Sequence, residues 1–393
     1  MTRFGLDIFL EKPPASLRGK RIGVLCHAAS ITSAYTHILD ALMAHPAFHV
    51  SAVFGPQHGL FGQTQDNMIE WEGYKHPLYD IPVFSLYGDH RKPTDSMLEH
   101  IDALVIDLQD VGARPYTYIW TLKLCMEACA EKSIPVWVLD RPNPIGAIDF
   151  DGPLLEESLF SFVGGAQIPL CHRMTFGEIE QLLKQAYFPS LRLNVVWMRL
   201  WWRDSLWHET GLPWVLPSPN MPTEQTAIVY PGMVLLEATN VSEGRGTTRP
   251  FELFGAPYIR MDEFIRILYE QELGGYIFRK HDFIPTFQKW QGQYCHGGQI
   301  HVTDARSYLP VTTTITILWA VAQSSDGKFS FTQPPYEYDH VHMPIDILYG
   351  NESFRKCIEM GGELSDLIEK QKQDIAAFSE MFDSVTYYKE ELH

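Results

Sequence analysis

The chain has 393 residues, with 31 Lys and Arg against 48 Asp and Glu, for a formal net charge of −17. That balance, with no basic tract, argues against a nucleic-acid binder, whose Lys and Arg concentrate on one face. Apolar residues at 45% and charged residues at 20% suit a globular protein of two or three domains, and no run approaches the ~20 apolar residues of a membrane span.

In chain order, Arg21–His27 reads as a first strand, followed by a helix near Tyr35–Ala44 and a strand at Val50–Phe54 that runs into GPQHG. A strand at Val83–Tyr87 precedes a short helix capped by Thr94 and ending at His100. Two apolar runs, Ala103–Leu108 and Pro135–Leu139, read as buried parallel strands flanking a helix over Thr117–Lys132. Thr175 and Glu178 form a capping box opening a helix to Tyr187, and Leu193–Met198 is a further strand. This alternation predicts an α/β fold with a Rossmann-like, doubly wound, mostly parallel sheet. Asp204–Gly255 is rich in Pro, Gly, Asn and Thr, lacks periodicity and reads as loop. Beyond it, helices at Asp262–Leu273, Val311–Ser324 and Leu364–Phe382, with strands near Ile277–Phe283 and Gln299–Thr303, suggest a second, smaller α+β domain.

The six cysteines have no zinc-ligand spacing and read as reduced thiols. The N-terminal stretch has no apolar run long enough for a signal peptide. Together these features lead to the expectation of a cytoplasmic protein.

Ligands of open α/β sheets sit outside the carboxyl ends of the strands. Polar residues crowd several of those ends. His58 sits in the turn Gly55-Pro56-Gln57-His58-Gly59, where it can act as acid, base or donor or simply bond the backbone. Asp107, Asp110, Arg114 and Tyr116 follow one buried strand, and Asp140, Arg141 and Asn143, stiffened by two prolines, follow the other. Asn240, Glu243 and Arg245 belong to the densest polar loop, which is no Walker A motif because Gly-Lys-Ser/Thr is absent. The first strand leads into His27-Ala28-Ala29-Ser30 rather than Gly-x-Gly-x-x-Gly, which counts against a nucleotide-dependent Rossmann enzyme. There is also no Gly-x-Ser-x-Gly elbow.

Seven segments in order, GPQHGLFG, DLQDVGARPYTYIWT, VLDRPNPIG, SFVGGAQIPLCHRMTFGE, LPSPNMPT, ATNVSEGRGTTRPFELFGAP and YCHGGQIHVTD, resemble the NamZ-type exo-β-N-acetylmuramidases. The resemblance covers nearly the whole chain. It implies a Rossmann-like catalytic domain, here expected over residues 1–228, and a smaller α+β domain over residues 229–393, with a cleft between them. It further implies a glycoside hydrolase that removes terminal N-acetylmuramic acid from peptidoglycan fragments, using a small carbohydrate or muropeptide substrate and no metal or organic cofactor. The oligomeric state is left open.

The family commonly carries Pro-Glu-His-Gly, whose Glu is the candidate acid; this chain has Gln57, and an amide cannot exchange a proton as a carboxyl does. Another carboxylate then takes the role (Glu70 or Asp66 nearby, Asp110 or Glu243 across the cleft), or the substrate differs, or the protein binds sugar without cleaving it. The expected catalytic set is His58, Glu70, Asp110 and Glu243. The expected substrate contacts are Gln57, Arg114, Tyr116, Asp140, Arg141, Asn143, Asn220, Asn240 and Arg245, with Arg114 and Arg245 as cations for the lactyl carboxylate of muramic acid.

Overall fold

The computed structural model describes residues 1–65 and 68–388. The first half runs α1 (Gly5–Glu11), β1 (Arg21–Cys26), α2 (Ile38–Ala44), β2 (His49–Gly55), β3 (Tyr74–Lys75), β4 (Pro82–Ser85), α3 (Asp95–Leu98), β5 (Ala103–Asp107), α4 (Tyr118–Glu131), β6 (Val136–Leu139), α5 (Phe176–Tyr187) and β7 (Leu193–Val196). The second half contains α6 (Glu224–Met233), β8 (Leu253–Ala256), α7 (Met261–Tyr269), β9 (Tyr276–Lys280), β10 (His296–Val302), α8 (Pro310–Gln323), α9 (Pro344–Tyr349), α10 (Ser353–Met360) and α11 (Leu364–Val385).

Seven strands form one sheet in the order β3-β4-β2-β1-β5-β6-β7. All neighbours are parallel except β3 with β4. The chain winds from β1 outward through β2 to β4, then returns to β5 and winds the other way. The switch therefore lies between β1 and β5, where connecting loops part and leave a crevice at the carboxyl ends. The central strands are buried almost throughout, because helices cover both faces. A second sheet, β8-β10-β9, is antiparallel. One apolar cluster runs through both halves, from Phe4 to Val385. Among the described residues no helix is long and apolar enough to cross a membrane.

The capping box at α5 is present: the Glu178 carboxylate accepts from Thr175 N at 3.0 Å, and the Thr175 hydroxyl accepts from Glu178 N at 3.4 Å. The main correction falls on Asp204–Gly255, read as loop. It holds α6 and a tight helical turn at Val234–Ala238. Thr223 caps α6 through Thr226 N at 3.2 Å. Every residue of α6 from Thr226 to Met233 is buried, so no amphipathic stripe is written into the sequence. Pro231-Gly232 reads as a breaker there, yet it is a packing device: a Cβ at Gly232 would lie 1.9 Å from Pro310 O, at the start of α8.

Candidate active site

Strand β2 ends at Gly55, and the chain turns through Pro56-Gln57-His58-Gly59. His58 and Gly59 both take left-handed backbone, φ +71° and +81°. His58 is a non-glycine residue that only a constrained turn holds there. Its Nδ1 lies 2.8 Å from Thr64 O. The Trp71 indole braces the turn by donating to Pro56 O at 3.0 Å. Gln57 points inward. Its Oε1 accepts from the Thr117 hydroxyl at 2.6 Å, and its Nε2 donates to Glu337 Oε1 at 3.2 Å.

That contact marks a narrow cleft, about 500 Å³ of empty space when the open solvent at its mouth is counted. The first half contributes Gln57, His58, Tyr116, Thr117, Tyr118 and Asn220; the second contributes Tyr230, Glu237, Arg245, Phe251, Tyr336 and Glu337. One wall is aromatic. Tyr116 meets Tyr118 and Tyr230 edge-on at 4.8 and 5.7 Å, and Tyr230 meets Phe251 at 4.8 Å. Such faces suit sugar rings.

An ionic cluster abuts this wall, with the Arg245 guanidinium 5.1 Å over the Phe251 ring. Arg245 donates to Glu237 at 2.5 Å, and its Nε lies 3.2 Å from Glu243. The other Glu243 oxygen accepts from Lys289 at 2.9 Å. Tyr336 donates to Glu237 at 2.6 Å. Burial pushes the Glu243 carboxyl up, but Lys289 and Arg245 outweigh it and hold it below its ordinary value. Glu337 differs. Burial pushes it up to about 7, against the hydrogen bonds from Tyr87 and Gln57 and with reinforcement from Glu237. The Tyr87 hydroxyl donates to Glu337 Oε2 at 2.8 Å.

Of the residues expected from the sequence, Gln57, His58, Tyr116, Asn220 and Arg245 come together at this cleft. Glu243 lies behind Arg245. Glu70 lines a neighbouring groove and accepts from the Tyr338 hydroxyl at 3.1 Å. Asp66 lies outside the described residues. Asp110 turns into its own loop, accepting from Gly112 N at 2.8 Å, with His172 Nε2 at 3.5 Å.

Four of the expected substrate contacts hold the scaffold instead. Arg114 is fully buried and donates to four carbonyls: Pro153 at 3.0 Å, Ile168 at 2.9 Å, Leu348 at 2.8 Å and Tyr349 at 2.9 Å. Arg141 forms a two-pronged pair with Asp107 at 2.5 and 2.8 Å. Asp140 accepts from Gly177 N, the Thr175 hydroxyl and the Tyr388 hydroxyl. Asn143 bridges Met174 O and Ile145 N, both at 3.0 Å. Asn240 likewise ties Lys328 O to Ser330 N, away from the cleft.

Glu237, Glu337, Tyr87, Tyr230 and Tyr336 were not anticipated. Glu237 follows the unrecognised helix α6. Tyr336-Glu337-Tyr338, set after two prolines in an aperiodic stretch, was the available signal for Glu337. After β1, the His27 ring accepts from Gln109 N at 2.8 Å and Ser30 bonds Asp107 O. Side chains thus fill the place where a dinucleotide fold receives its pyrophosphate.

A doubly wound α/β sheet whose carboxyl ends open into a tyrosine-walled cleft bearing carboxyl groups is an arrangement suited to a carbohydrate hydrolase of α/β architecture. Residues 22–225 match the N-terminal region, and residues 228–388 the C-terminal region, of the exo-β-N-acetylmuramidase NamZ, and the chain belongs to that family. It is 41% identical over 375 residues to the peptidoglycan β-N-acetylmuramidase NamZ of Bacillus subtilis, covering 95% of this chain and 88% of that protein. Its fold is similar to crystal structures of two DUF1343 family proteins of Bacteroides fragilis. One is 29% identical with TM-score 0.88, covering 99% of each chain, and the other 27% identical with TM-score 0.75, covering 100% of each.

Proposed function

We infer that this protein is a glycoside hydrolase that removes terminal N-acetylmuramic acid from peptidoglycan fragments, acting on a small carbohydrate or muropeptide in the cleft between the Gln57 turn and the Glu237–Arg245 wall. The observation that carries the reading is a pair of carboxyl groups, Glu237 and Glu337, in unlike surroundings on one cleft. Glycosidic cleavage uses two carboxyl groups in different roles, and unlike environments are how a protein separates those roles. The tyrosine wall would hold the pyranose ring. Arg245 is the cation on the cleft surface suited to the lactyl carboxylate of peptide-free muramic acid.

Sugar binding without turnover, the reading that Gln57 alone invites, has less support because the cleft holds carboxyls beyond position 57. The six buried, unbridged thiols support a reducing, cytoplasmic setting. Incubation with a chromogenic N-acetylmuramide and with N-acetylmuramyl disaccharides tests the reading. Release of the aglycone and of free N-acetylmuramic acid is expected; folded protein that releases neither across about pH 5 to 9 refutes it.

A further inference from the structure

We propose that Glu337 is the proton donor to the leaving oxygen in this chain and that Gln57 is its positioning residue. This rests on the glycosidase reading above and concerns how the same cleft works.

The first support is the hydrogen-bond chain Thr117–Gln57–Glu337. A primary amide has a donor end and an acceptor end, and a hydroxyl can donate or accept. With Glu337 ionised, Gln57 donates its N–H to the carboxylate and Thr117 donates to Gln57. With Glu337 protonated, rotation of the amide turns Oε1 toward the acid, and Thr117 accepts instead. One amide thus serves both protonation states of an acid that must cycle between them. A glutamate at position 57 would place two carboxyls against each other, and like charges at that range cannot both ionise freely.

The second support is backbone geometry. Tyr336 and Asp339 exchange two hydrogen bonds at 2.9 Å each, and the residues between them, Glu337 and Tyr338, have φ of +42° and +69°. Two consecutive positive φ values inside such a pair are the signature of a type I′ turn, which ordinarily takes Asn-Gly or Asp-Gly. Glutamate and tyrosine here run against local preference. Strained backbone of this kind persists where the surroundings over-determine it, and it clusters at functional sites. The turn delivers the Glu337 carboxyl to the cleft, while Tyr338 is held behind it by the Glu70 carboxylate and by Arg91, whose guanidinium sits 3.9 Å over the ring.

The third support is the electrostatic setting. Gln57 and Tyr87 donate to the two carboxyl oxygens; Glu237, Arg245, Tyr230 and Tyr336 are the charged and titratable groups coupled to it, and His58, Tyr116 and Tyr118 line the same cleft. Burial, reinforced by Glu237, raises the carboxyl to about 7, so a substantial share of it carries its proton near neutrality. That is the state an acid needs before the reaction. In the step, the Glu337 proton passes to the glycosidic oxygen as the bond from that oxygen to the anomeric carbon breaks. The aglycone leaves as a neutral alcohol and Glu337 is left as carboxylate. Water supplies hydroxide to the anomeric carbon, and its remaining proton restores Glu337.

The test compares two N-acetylmuramides in the full-length protein: the natural disaccharide, whose sugar leaving group needs a proton, and the dinitrophenyl glycoside, whose leaving group does not. Glu337→Gln is expected to lower kcat/KM on the disaccharide by about 10²–10⁴-fold, and on the dinitrophenyl glycoside by less than about tenfold, and to abolish the basic limb of the pH profile. Equal losses on both substrates, or none, overturn the assignment. Thr117→Val provides a second, nearly isosteric variant that removes no capping hydrogen bond from α4, because the Thr117 side chain makes none. Loosening Gln57 removes a donor from the carboxylate, so the basic limb moves to higher pH; an unmoved limb overturns the positioning role. Wild-type protein that turns over neither substrate fails the hydrolase reading itself, whereas active wild type with an insensitive Glu337→Gln fails only this inference.

Discussion

The Tyr388 hydroxyl donates to Asp140 Oδ2 at 2.6 Å and accepts from Met198 N at 2.7 Å, so one phenol joins the end of the described chain to the carboxyl end of β6 and the loop after β7. Around it, Tyr387 stacks on Trp197 at 4.0 Å, and Glu178 accepts from Tyr387 N at 2.8 Å while pairing with Arg203. The segment after α11 is therefore a strap across the parallel sheet. Tyr388→Phe keeps the ring but leaves a buried N–H without its acceptor and removes one of the three donors to a buried carboxyl. A loss of roughly 1–3 kcal/mol in urea unfolding is expected. A change below about 0.5 kcal/mol, the scatter of surface substitutions, would show that the strap does not bear on stability.

The same carboxyl makes stability depend on pH. Burial pushes Asp140 up to about 7, against hydrogen bonds from Tyr388, Gly177 and Thr175. Asp151 is pushed up to about 6 by burial, though it accepts from Val311 N and Thr312 N at the start of α8. For both groups the folded value lies above the ordinary 3.8. The folded state therefore holds their protons more tightly than the unfolded chain does. Their contribution to stability is complete below the ordinary carboxyl value and is lost as pH rises through the folded values. The fall is at most about 1.4 kcal/mol per pH unit for each proton. Denaturant midpoints should decline from about pH 4 to 7, and Asp140→Asn should flatten part of that slope. An identical slope in the variant would contradict the assignment.

Asp107 and Arg141 join the ends of β5 and β6 with almost no exposure, and Arg141 also donates to Ile31 O at 2.7 Å. Burial raises the Asp107 carboxyl even beside this arginine. Arg141→Met strands that carboxyl and should cost roughly 3–5 kcal/mol, whereas replacing both partners with apolar residues of similar volume should cost less than the single change. A double variant as unstable as the sum of the two single variants would show that the pair is not coupled.

The sheet was legible because its buried strands are continuous apolar runs and its helices between strands are capped or striped, as Thr175 and Glu178 at α5 illustrate. The site was legible only where a turn had its own signature, as at Gln57-His58, or where a dense polar loop held it, as at Arg245. Arg114 and Asn143 look the same in sequence whether they staple carbonyls or face a ligand. The direction of a side chain at a strand end is decided by chain that arrives from elsewhere, such as α9 for Arg114. Glu337 was hidden for the same reason: it lies 280 residues from its partner Gln57. Glu237 was hidden because α6 is buried on all sides and carries no amphipathic stripe.

Arg245 provides the last prediction. It sits between Glu237 and Glu243 on the cleft wall, its guanidinium 5.1 Å over the Phe251 ring. That arrangement holds a planar fork in one orientation. N-acetylmuramic acid differs from N-acetylglucosamine by its lactyl ether, so a fork aimed at the lactyl carboxylate would supply the discrimination between them. Arg245→Lys keeps a cation between the two carboxylates, so the fold should survive, but a point charge replaces the paired donors. The ratio of kcat/KM for an N-acetylmuramide over the matching N-acetylglucosaminide should fall by about tenfold, equivalent to ~1.4 kcal/mol, chiefly through KM on the muramide. If both substrates weaken equally, Arg245 is holding the wall rather than reading the sugar, and the selectivity must come from other groups lining the cleft, such as its tyrosines.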